Sequence, residues 1–320
     1  MKKMGAYIKQ EGFGIMKIIK VSLDNKIDFK MPIVLGMGQF DGLHYAHMYI
    51  INKVISDAKS LNVSSAIITF DPHPDYVLEK RVKEGYLTPL KEKKEILADL
   101  GLDYLIVIKF SKEVASLPYQ EYEKQFLDNL NIKKMIVGFD YHYGKFATGS
   151  TETLKRKYNL EVVDEIKYEQ VKVGSNLIRQ YLEDGKVSKA NFLLGRNYYI
   201  TGIVNKGSRI GSTLGYKTAN ISLDSSFYSL KLGVYAVIVS YDGNKYQGIC
   251  NIGHNPSFNY QEKARAEVHL FDFDKVIYGE QIKVEFIEFL REEKIYSSKE
   301  ELKKQIDLDI KLAKSILKEE

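Results

Sequence analysis

Two histidines three residues apart follow a glycine-rich turn near the start of the chain. His44 and His47 come directly after the stretch Gly38-Gln39-Phe40-Asp41-Gly42. A spacing of i and i+3 places both imidazoles on one face of a helix, and the start of a helix favours anions because its first N–H groups have no partner within the helix. Two donors placed there could stabilise the negative charge that develops on a phosphoryl group. The stretch therefore predicts a phosphate-binding site.

Other interpretations of the histidine pair stay open from the residues alone. A zinc site would need further ligands, for which His73 is the obvious candidate, and either histidine could lie in the core or on the surface without a function. A dinucleotide-binding loop is excluded, because its third glycine would stand where Asp41 is. Gly144 and Gly185 each precede a lysine, but neither stretch has the remaining residues of a phosphate-binding loop.

The composition of the 320-residue chain is that of a globular protein large enough for two domains. Hydrophobic residues make up 44% and charged residues 28%, and the net charge is +5. No apolar run is long enough for a membrane span. Basic clusters such as Lys91–Lys94 are interleaved with acidic residues and predict solvated helix faces, so we expect neither a membrane nor a nucleic-acid partner. The single cysteine, Cys250, lies in an apolar stretch and predicts a buried thiol in a reducing, cytoplasmic protein.

Helical patterns separate short, β-branched apolar runs in the first half of the chain. The clearest helix places Met48, Ile51 and Val54 on one stripe. Strands that alternate with helices predict a parallel, doubly wound sheet that is covered on both faces. We expect the domain to begin at Met16, so that residues 1–15 are an extension or a misplaced start. The predicted strands are Ile33–Leu35, Ala66–Phe70, Tyr104–Phe110, Met135–Phe139 and Glu161–Ile166, and two more helices are predicted over Lys91–Leu100 and Glu121–Leu130.

The pattern changes near Gly195, where strand-like runs follow one another without helices between them. Asp242-Gly243 is the two-residue signal of a β-hairpin, and several short strands with turn signals predict a small antiparallel barrel. Ser298, with Glu301 three residues later, predicts the start of a closing helix. The strand-like runs are Tyr199–Val204, Val234–Tyr241, Lys245–Cys250, Ala266–Phe273 and Ile282–Phe289, and the stripe of the closing helix is Leu302, Ile306, Ile310, Ala313 and Leu317.

An ordered series of motifs resembles one family along almost the whole chain, from about Met16 to Leu317. The stretch Gly38–His47 resembles the signature of the nucleotidylyltransferase superfamily. Further stretches are similar to the bacterial bifunctional riboflavin kinase/FMN adenylyltransferase (FAD synthetase) family. These stretches are Thr69–Pro74, Leu87–Leu90, Val137–Gly144, Leu193–Arg196, Gly207–Asn220, Asn251–Gly253, Glu267–Phe271 and Leu290–Glu292.

The resemblance implies two domains with one activity each. Residues 16–185 would form an α/β domain of nucleotidylyltransferase type that adenylylates FMN to FAD. Residues 186–320 would form a riboflavin kinase-like barrel, with a C-terminal helix, that phosphorylates riboflavin to FMN. ATP would be the co-substrate, Mg²⁺ the metal at both sites, and riboflavin, FMN, FAD and pyrophosphate the other partners. We expect a monomer or a weak oligomer.

In the first domain, the resemblance implies that His44 and His47 bind the ATP phosphates and stabilise the transition state of adenylyl transfer. An arginine such as Arg179 suits phosphate, since its planar fork matches phosphate oxygens. The other implied residues are Gly38, Phe40 and Asp41 in the ATP pocket, Asp140 near the flavin or nucleotide, and Ser175, Asn176 and Arg179 around the departing phosphates.

In the second domain, the resemblance implies that Thr218 and Asn220 hold Mg²⁺ and ATP, since hydroxyl and amide oxygens are hard ligands. Glu267 would be the general base that takes the proton of the ribityl 5′-hydroxyl. From the residues alone, Thr218 and Asn220 are also compatible with an ordinary turn, and Glu267 with an exposed strand position. Gly207, Gly211 and Gly215 would shape a loop over the phosphates, and Arg291 would lie near the flavin.

The sequence departs from the family pattern at four positions. Ala46 and Asn176 replace a glycine and a threonine in the first domain, and Ser212 and Lys217 replace an arginine and a proline in the second. Two other functions therefore stay open. One is an FMN adenylyltransferase whose kinase-like barrel is weakened or only binds flavin. The other is a non-catalytic RNA-binding protein, since small barrels also occur there.

Overall fold

The computed structural model describes residues 16–25, 27, 29–80, 85–205, 216–221, 226–253 and 265–318. The described residues divide into two compact units, one within 1–84 and 88–174 and the other within 85–87 and 175–320. The extension of residues 1–15 lies outside the described residues. The functional boundary after residue 185 stays a prediction.

The first unit alternates strands with helices, as the periodicity predicts. A 3₁₀ turn at Lys145–Ala147 precedes its last helix. In chain order its elements are β1 (Lys17–Val21), β2 (Phe29–Met37), α1 (Tyr45–Ser60), β3 (Ser64–Asp71), α2 (Pro74–Val77), α3 (Leu90–Asp99), β4 (Tyr104–Lys109), α4 (Lys112–Ala115), α5 (Tyr119–Phe126), β5 (Leu130–Gly138), α6 (Thr151–Lys155), β6 (Leu160–Val163), β7 (Lys167–Tyr168) and β8 (Val171–Lys172).

Six of these strands form one sheet in the order β1-β4-β3-β2-β5-β6, and every neighbouring pair is parallel. Helices cover both faces of this sheet. On one face Ile51 of α1 packs in a cluster with Leu97 of α3. On the other face Tyr122 and Phe126 of α5 pack in a second cluster. The doubly wound parallel sheet of the prediction is confirmed.

The second unit begins with two helices and continues into a closed barrel. Its strands run in the order β10-β13-β12-β11-β14-β9, and β9 pairs with β10 to close the ring. All of these pairs are antiparallel. In chain order the elements are α7 (Ser175–Glu183), α8 (Val187–Leu194), β9 (Tyr198–Asn205), β10 (Ala219–Ile221), β11 (Gly233–Tyr241), β12 (Asn244–Gly253), β13 (Arg265–Leu270), β14 (Gln281–Arg291) and α9 (Lys299–Leu317).

One face of the barrel strands carries fully buried side chains. Tyr235, Cys250 and Val268 lie opposite one another on three successive strands, and none is exposed. Burial, together with the charge of Glu267, raises the pKa of the Cys250 thiol. The cysteine is therefore an inert core residue, as its apolar surroundings predict.

Helix α9 covers the other face of strands β11 and β12. Ala313 and Leu317 pack there in one apolar cluster with residues of both strands. The Ser298 hydroxyl accepts the Glu301 N–H at 3.1 Å, as predicted, whereas the Glu301 carboxylate accepts the N–H of Ser297, one residue before the cap. The Asp242-Gly243 hairpin is also confirmed, since both residues have the positive φ of a type I′ turn (50° and 72°).

The structure corrects two details of the sequence prediction. The helix predicted over 121–130 ends at Phe126, and Leu130 is the first residue of β5. A turn separates the two elements, because the Leu130 N–H bonds to the Leu127 carbonyl. Strands β7, β8 and β10 were not predicted, since two or three residues are too few to show a strand period.

Candidate active sites

The first candidate site lies where the strand order of the parallel sheet reverses. After β2 the chain continues through β3 to β4 on one side, and after β5 it continues to β6 on the other side. Open α/β sheets bind ligands at such a switch point, outside the carboxyl ends of the strands. Gly38–His47 follows β2, and Asp140 follows β5. The register of these neighbouring strands therefore brings the predicted phosphate-binding turn and Asp140 to one edge of the sheet.

The turn after β2 has an unusual backbone. Phe40, Gly42 and Leu43 have φ angles of 51°, 94° and 45°. Left-handed backbone in non-glycine residues is unfavourable by about 1–3 kcal/mol each and occurs mainly at functional sites. A Cβ atom at Gly38 would make a tight contact of 3.1 Å with the buried ring of Phe40. The turn delivers His44 to the N-cap of α1 in extended conformation.

The two histidine rings stack on each other. Their centroids are 3.7 Å apart with an interplanar angle of 19°, and the ring of Phe40 meets His47 edge-on at 5.3 Å. His44 is buried and His47 is half-buried. The pair therefore forms one polar surface at the start of a helix, as the i, i+3 spacing predicts. Ala46 lies within α1 and has no positive φ, so that alanine fits where the family has glycine.

The zinc interpretation gains no support from the described residues. They contain no group of three or more His, Cys, Asp or Glu side chains that could hold a metal ion. His73 caps α2, where its Nδ1 accepts the N–H of Asp75 at 3.0 Å. A capping role explains this histidine.

Two acidic side chains of the prediction have structural partners in the first unit. Asp41 is buried, and its Oδ1 accepts the N–H of Thr88 at 3.1 Å, which ties the turn to the segment before α3. Asp140 is exposed and ion-paired with Lys172, whose Nζ lies 4.8 Å from the ring centroid of Phe139. That Asp41 contacts ATP stays a prediction. That Asp140 lies near the flavin or nucleotide also stays a prediction.

Ser175, Asn176 and Arg179 lie on α7, which belongs to the second unit. The buried Arg179 donates from Nη1 to Oδ1 of Asn176 at 3.1 Å, and its guanidinium carbon lies 5.5 Å from the ring centroid of Tyr228. The amide of Asn176 therefore orients the arginine. That these residues hold the departing phosphates of adenylylation stays a prediction.

The second candidate site is assembled by the strand register of the barrel. Asn220 of β10 lies directly opposite Glu267 of β13, and Glu267 lies opposite Asn251 of β12. Side chains of opposite residues in an antiparallel pair lie on the same face. Val268 and Leu270 are buried on the other face, as predicted. The carboxylate and two amides therefore form one polar row.

The environment of Glu267 makes its carboxyl less acidic than that of an exposed glutamate. Burial raises the pKa of its carboxyl above the ordinary value, and Arg265 partly opposes this shift. Desolvation makes a carboxylate more basic. Glu267 is half-buried, so a substrate hydroxyl could reach it.

A cavity of about 260 Å³ is lined by Lys217, Thr218 and Asn220 together with Val268 and Leu270, which lie on the strand face opposite Glu267. His269 Nδ1 lies 2.8 Å from the Lys217 carbonyl oxygen. Because a carbonyl can only accept, Nδ1 carries the proton. This bond holds the backbone before Thr218. The Lys217 ammonium pairs with Asp274 at 2.8 Å.

Arg291 has a firm structural partner. Its Nε and Nη2 donate to both oxygens of the buried Asp309 on α9, at 2.7–3.0 Å. Gln305 donates to the same carboxylate. The flavin contact of Arg291 stays a prediction. Gly207, Gly211, Ser212 and Gly215 lie outside the described residues.

Sequence reasoning missed two residues that the structure places at these sites. Asn251 was noted only within a matching stretch, although the register puts it beside Glu267. Lys93 was interpreted as part of a solvated helix face, which is wrong: it is 2% exposed and lies beneath the turn after β2. No residue pattern marks Lys93, because three neighbouring residues of its cluster are also charged.

Known proteins match the chain in both halves. A family model described as FAD synthetase matches residues 26–177, and one described as riboflavin kinase matches residues 194–317. Three relatives are named bifunctional riboflavin kinase/FMN adenylyltransferase. The protein of Bacillus subtilis is 37% identical and covers 86% of this chain and 90% of its own length. The protein of Buchnera aphidicola subsp. Schizaphis graminum is 35% identical and covers 93% of this chain and 98% of its own length. The protein of Escherichia coli K12 is 31% identical and covers 86% of this chain and 90% of its own length.

A solved structure has the same fold along nearly the whole chain. It is described as a macrolide-efflux protein from Streptococcus pneumoniae, and it matches with a TM-score of 0.84 and 29% identity. The match covers 92% of this chain and 99% of the other. Within the described residues, no helix is both long and apolar enough to cross a membrane.

Proposed function

Because the chain belongs to the bifunctional riboflavin kinase/FMN adenylyltransferase family, we propose that it converts riboflavin to FMN in its barrel and FMN to FAD at the switch point of its parallel sheet. It is a transferase of flavin cofactor biosynthesis, and both domains of the family are present. We do not propose macrolide efflux, because both family models and the relatives name flavin chemistry.

One observation carries the kinase half of the proposal. Asn220 and Glu267 are 47 residues apart in the sequence, yet they are direct neighbours on the barrel. A kinase needs a base beside the groups that hold ATP, and this register puts Glu267 next to Asn220, one of the two proposed Mg²⁺ ligands. At Lys217, where the family has proline, His269 holds the backbone carbonyl. We therefore favour an active kinase over a barrel that only binds flavin.

In riboflavin phosphorylation, Glu267 takes the proton of the ribityl 5′-hydroxyl as the hydroxyl oxygen attacks the γ-phosphorus of ATP. The bond from this phosphorus to the β,γ-bridging oxygen breaks, and ADP leaves. Burial raises the pKa of the Glu267 carboxyl, which makes its carboxylate a stronger base. Asn251 lies opposite Glu267 on β12, and its Nδ2 donates to Oε1 of Glu293 at 3.2 Å.

The barrel residues fit Mg²⁺ by their chemistry. Thr218 and Asn220 line one cavity and offer a hydroxyl and an amide oxygen, which are hard ligands of the kind that Mg²⁺ accepts alongside phosphate oxygens and waters. Bound there, the ion would neutralise charge on the β- and γ-phosphates. Thr218 and Asn220 would hold it, and Glu267 would stay available as the base.

In FMN adenylylation, a phosphate oxygen of FMN attacks the α-phosphorus of ATP, and pyrophosphate leaves. His44 and His47, at the start of α1, donate hydrogen bonds to the phosphate oxygens on which charge develops. The helix N-terminus adds its own positive potential. Gly38 and Phe40 would line the adjoining nucleotide pocket, and Asp140, just after β5, would lie near the flavin or nucleotide.

A time course tests the proposal directly. Purified protein is incubated with riboflavin, ATP and Mg²⁺, and riboflavin, FMN and FAD are resolved by chromatography. FMN should appear first and FAD after it. Unchanged riboflavin with conversion of supplied FMN would leave only the adenylyltransferase. No conversion of either substrate would refute the proposal. We further propose that the protein works as a monomer or weak oligomer in the cytoplasm.

A further inference from the structure

Lys93 is a buried cation beneath the candidate adenylyltransferase site. It is one of the largest fully buried side chains of the described residues. Its Nζ donates to the carbonyl oxygen of Gln39 at 2.7 Å and to Oγ1 of Thr69 at 3.2 Å. The Thr69 hydroxyl donates in turn to the Gln39 carbonyl at 2.9 Å. Two donors therefore converge on one backbone oxygen.

That oxygen lies at the point where the turn after β2 becomes left-handed. Gln39 directly precedes Phe40, the first of the three residues with positive φ. An unfavourable backbone persists only where its surroundings hold it. The same turn leads into His44 at the start of α1. A side chain that donates a hydrogen bond to the Gln39 carbonyl therefore helps to fix the positions of the two imidazoles.

Burial of the Lys93 ammonium is unfavourable in free energy. Burial lowers the pKa of Lys93 from its ordinary 10.5 to about 8, while the carboxylates of Asp41 and Asp71 partly offset this shift. Asp41 faces Lys93 from the turn itself, and Asp71 from the end of β3. An apolar side chain of the same length would avoid this cost, so that packing alone does not explain a lysine.

We propose that Lys93 is a positioning residue for FMN adenylylation, whose ammonium holds the Gln39 carbonyl and so keeps His44 and His47 aligned for the transferring phosphoryl group. The proposal rests on the proposed adenylyltransferase function. Lys93 touches neither substrate nor the reacting atoms. It acts through the backbone of the turn, whereas the histidines act on the phosphates.

The test compares Lys93→Met with Lys91→Met, a matched change at an exposed lysine of the same helix. Adenylylation of supplied FMN and phosphorylation of riboflavin are both measured in the full chain. Lys93→Met should lower kcat for FAD formation by about 10- to 100-fold, the effect of losing one charge-assisted hydrogen bond. The KM for ATP should change by less than about 3-fold, and phosphorylation should persist. Lys91→Met should match the wild type in both activities.

A pH profile separates this role from simple support of the fold. In the wild type, kcat for adenylylation should fall as pH rises through about 8, because Lys93 loses its proton and its bond to the carbonyl weakens. Lys93→Met should lose this alkaline limb. Thr69→Val keeps the ammonium and should keep the limb, with a loss of less than about 10-fold.

The outcomes distinguish the two claims. A wild-type protein that makes no FAD from FMN refutes the proposed function, whatever Lys93 does. An active wild type with an unchanged kcat in folded Lys93→Met refutes the role of Lys93. If Lys93→Met does not fold, the pH profiles of the wild type and of Thr69→Val still test the role of Lys93. An adenylylation rate that stays flat between about pH 7 and 9.5 in these two proteins also refutes that role.

Discussion

The two candidate sites position their chemical groups in opposite ways. His44 and His47 come from one continuous stretch, and a strained turn and the start of one helix place them. Asn220, Glu267 and Asn251 come from three strands, and only the antiparallel pairing of these strands brings them into one row. The histidine site therefore depends on local backbone conformation, whereas the site around Glu267 depends on the pairing of strands that are distant in the sequence. Substitutions should therefore divide cleanly between the two activities.

The largest effect should come from removing the proposed base. Glu267→Gln should lower riboflavin phosphorylation by about 10²- to 10⁴-fold, since a positioned base contributes that much, while FAD formation from supplied FMN persists. Glu280→Gln, at an exposed glutamate before β14, is the matched control and should match the wild type. Equal loss of both activities in folded Glu267→Gln would contradict two separate sites.

The converse should hold at the histidine pair. His44→Ala and His47→Ala should each lower FMN adenylylation by about 10²- to 10³-fold, because each removes one donor to developing phosphoryl charge. Riboflavin phosphorylation, measured in the same preparations, should continue and report that the barrel is intact. Loss of bound zinc in either variant would instead revive the metal interpretation.

Helix α7 tests how far the two activities separate. Its residues are predicted to act in adenylylation, whereas the helix belongs to the unit that contains the barrel. Arg179→Ala should slow FAD formation more than Asn176→Ala does, since charge-assisted contacts are stronger. Asn176→Ala removes one neutral hydrogen bond of about 0.5–1.5 kcal/mol and should slow it by about 2- to 12-fold. Asn176→Thr should stay near the wild type. Slower phosphorylation with unchanged adenylylation would assign α7 to the kinase.

A pH profile of the kinase should show the raised pKa of Glu267. The base works only when ionised, so phosphorylation should fall as pH drops through a value above the 4.5 of an ordinary glutamate. The rate of FMN adenylylation should not depend on the ionisation of Glu267 over the same pH range. A kinase rate that stays flat down to pH 4.5 would contradict Glu267 as the base.

The smallest effect concerns the stability of the barrel. Because its folded pKa is raised, Glu267 ionises less readily in the folded than in the unfolded chain. The free energy of unfolding should therefore fall between pH 4.5 and the folded pKa and remain lower above it. Glu267→Gln removes this penalty, so its melting temperature at pH 7 should equal or slightly exceed that of the wild type. A clearly lower melting temperature would show that the carboxylate stabilises the barrel.

Much of the fold follows from local patterns. Alternating strands and helices predict the doubly wound sheet, and Asp242-Gly243 predicts its hairpin because both positions tolerate positive φ. Period-based prediction failed where elements are short or adjoin closely, as at β10 and at the junction of α5 with β5. Both require knowledge of which residues are paired or buried, and this depends on distant parts of the chain.

The amino-acid sequence is enough to predict the histidine pair, because an i, i+3 pair after a glycine turn needs only one helix to come together. The position of Glu267 opposite Asn220 and Asn251 follows only from the folded barrel, since strand register is a relation between distant segments. The same holds for Lys93. In the sequence it is one of several lysines on a helix, and only the packing of α3 beneath the turn after β2 makes it a buried cation on the Gln39 carbonyl.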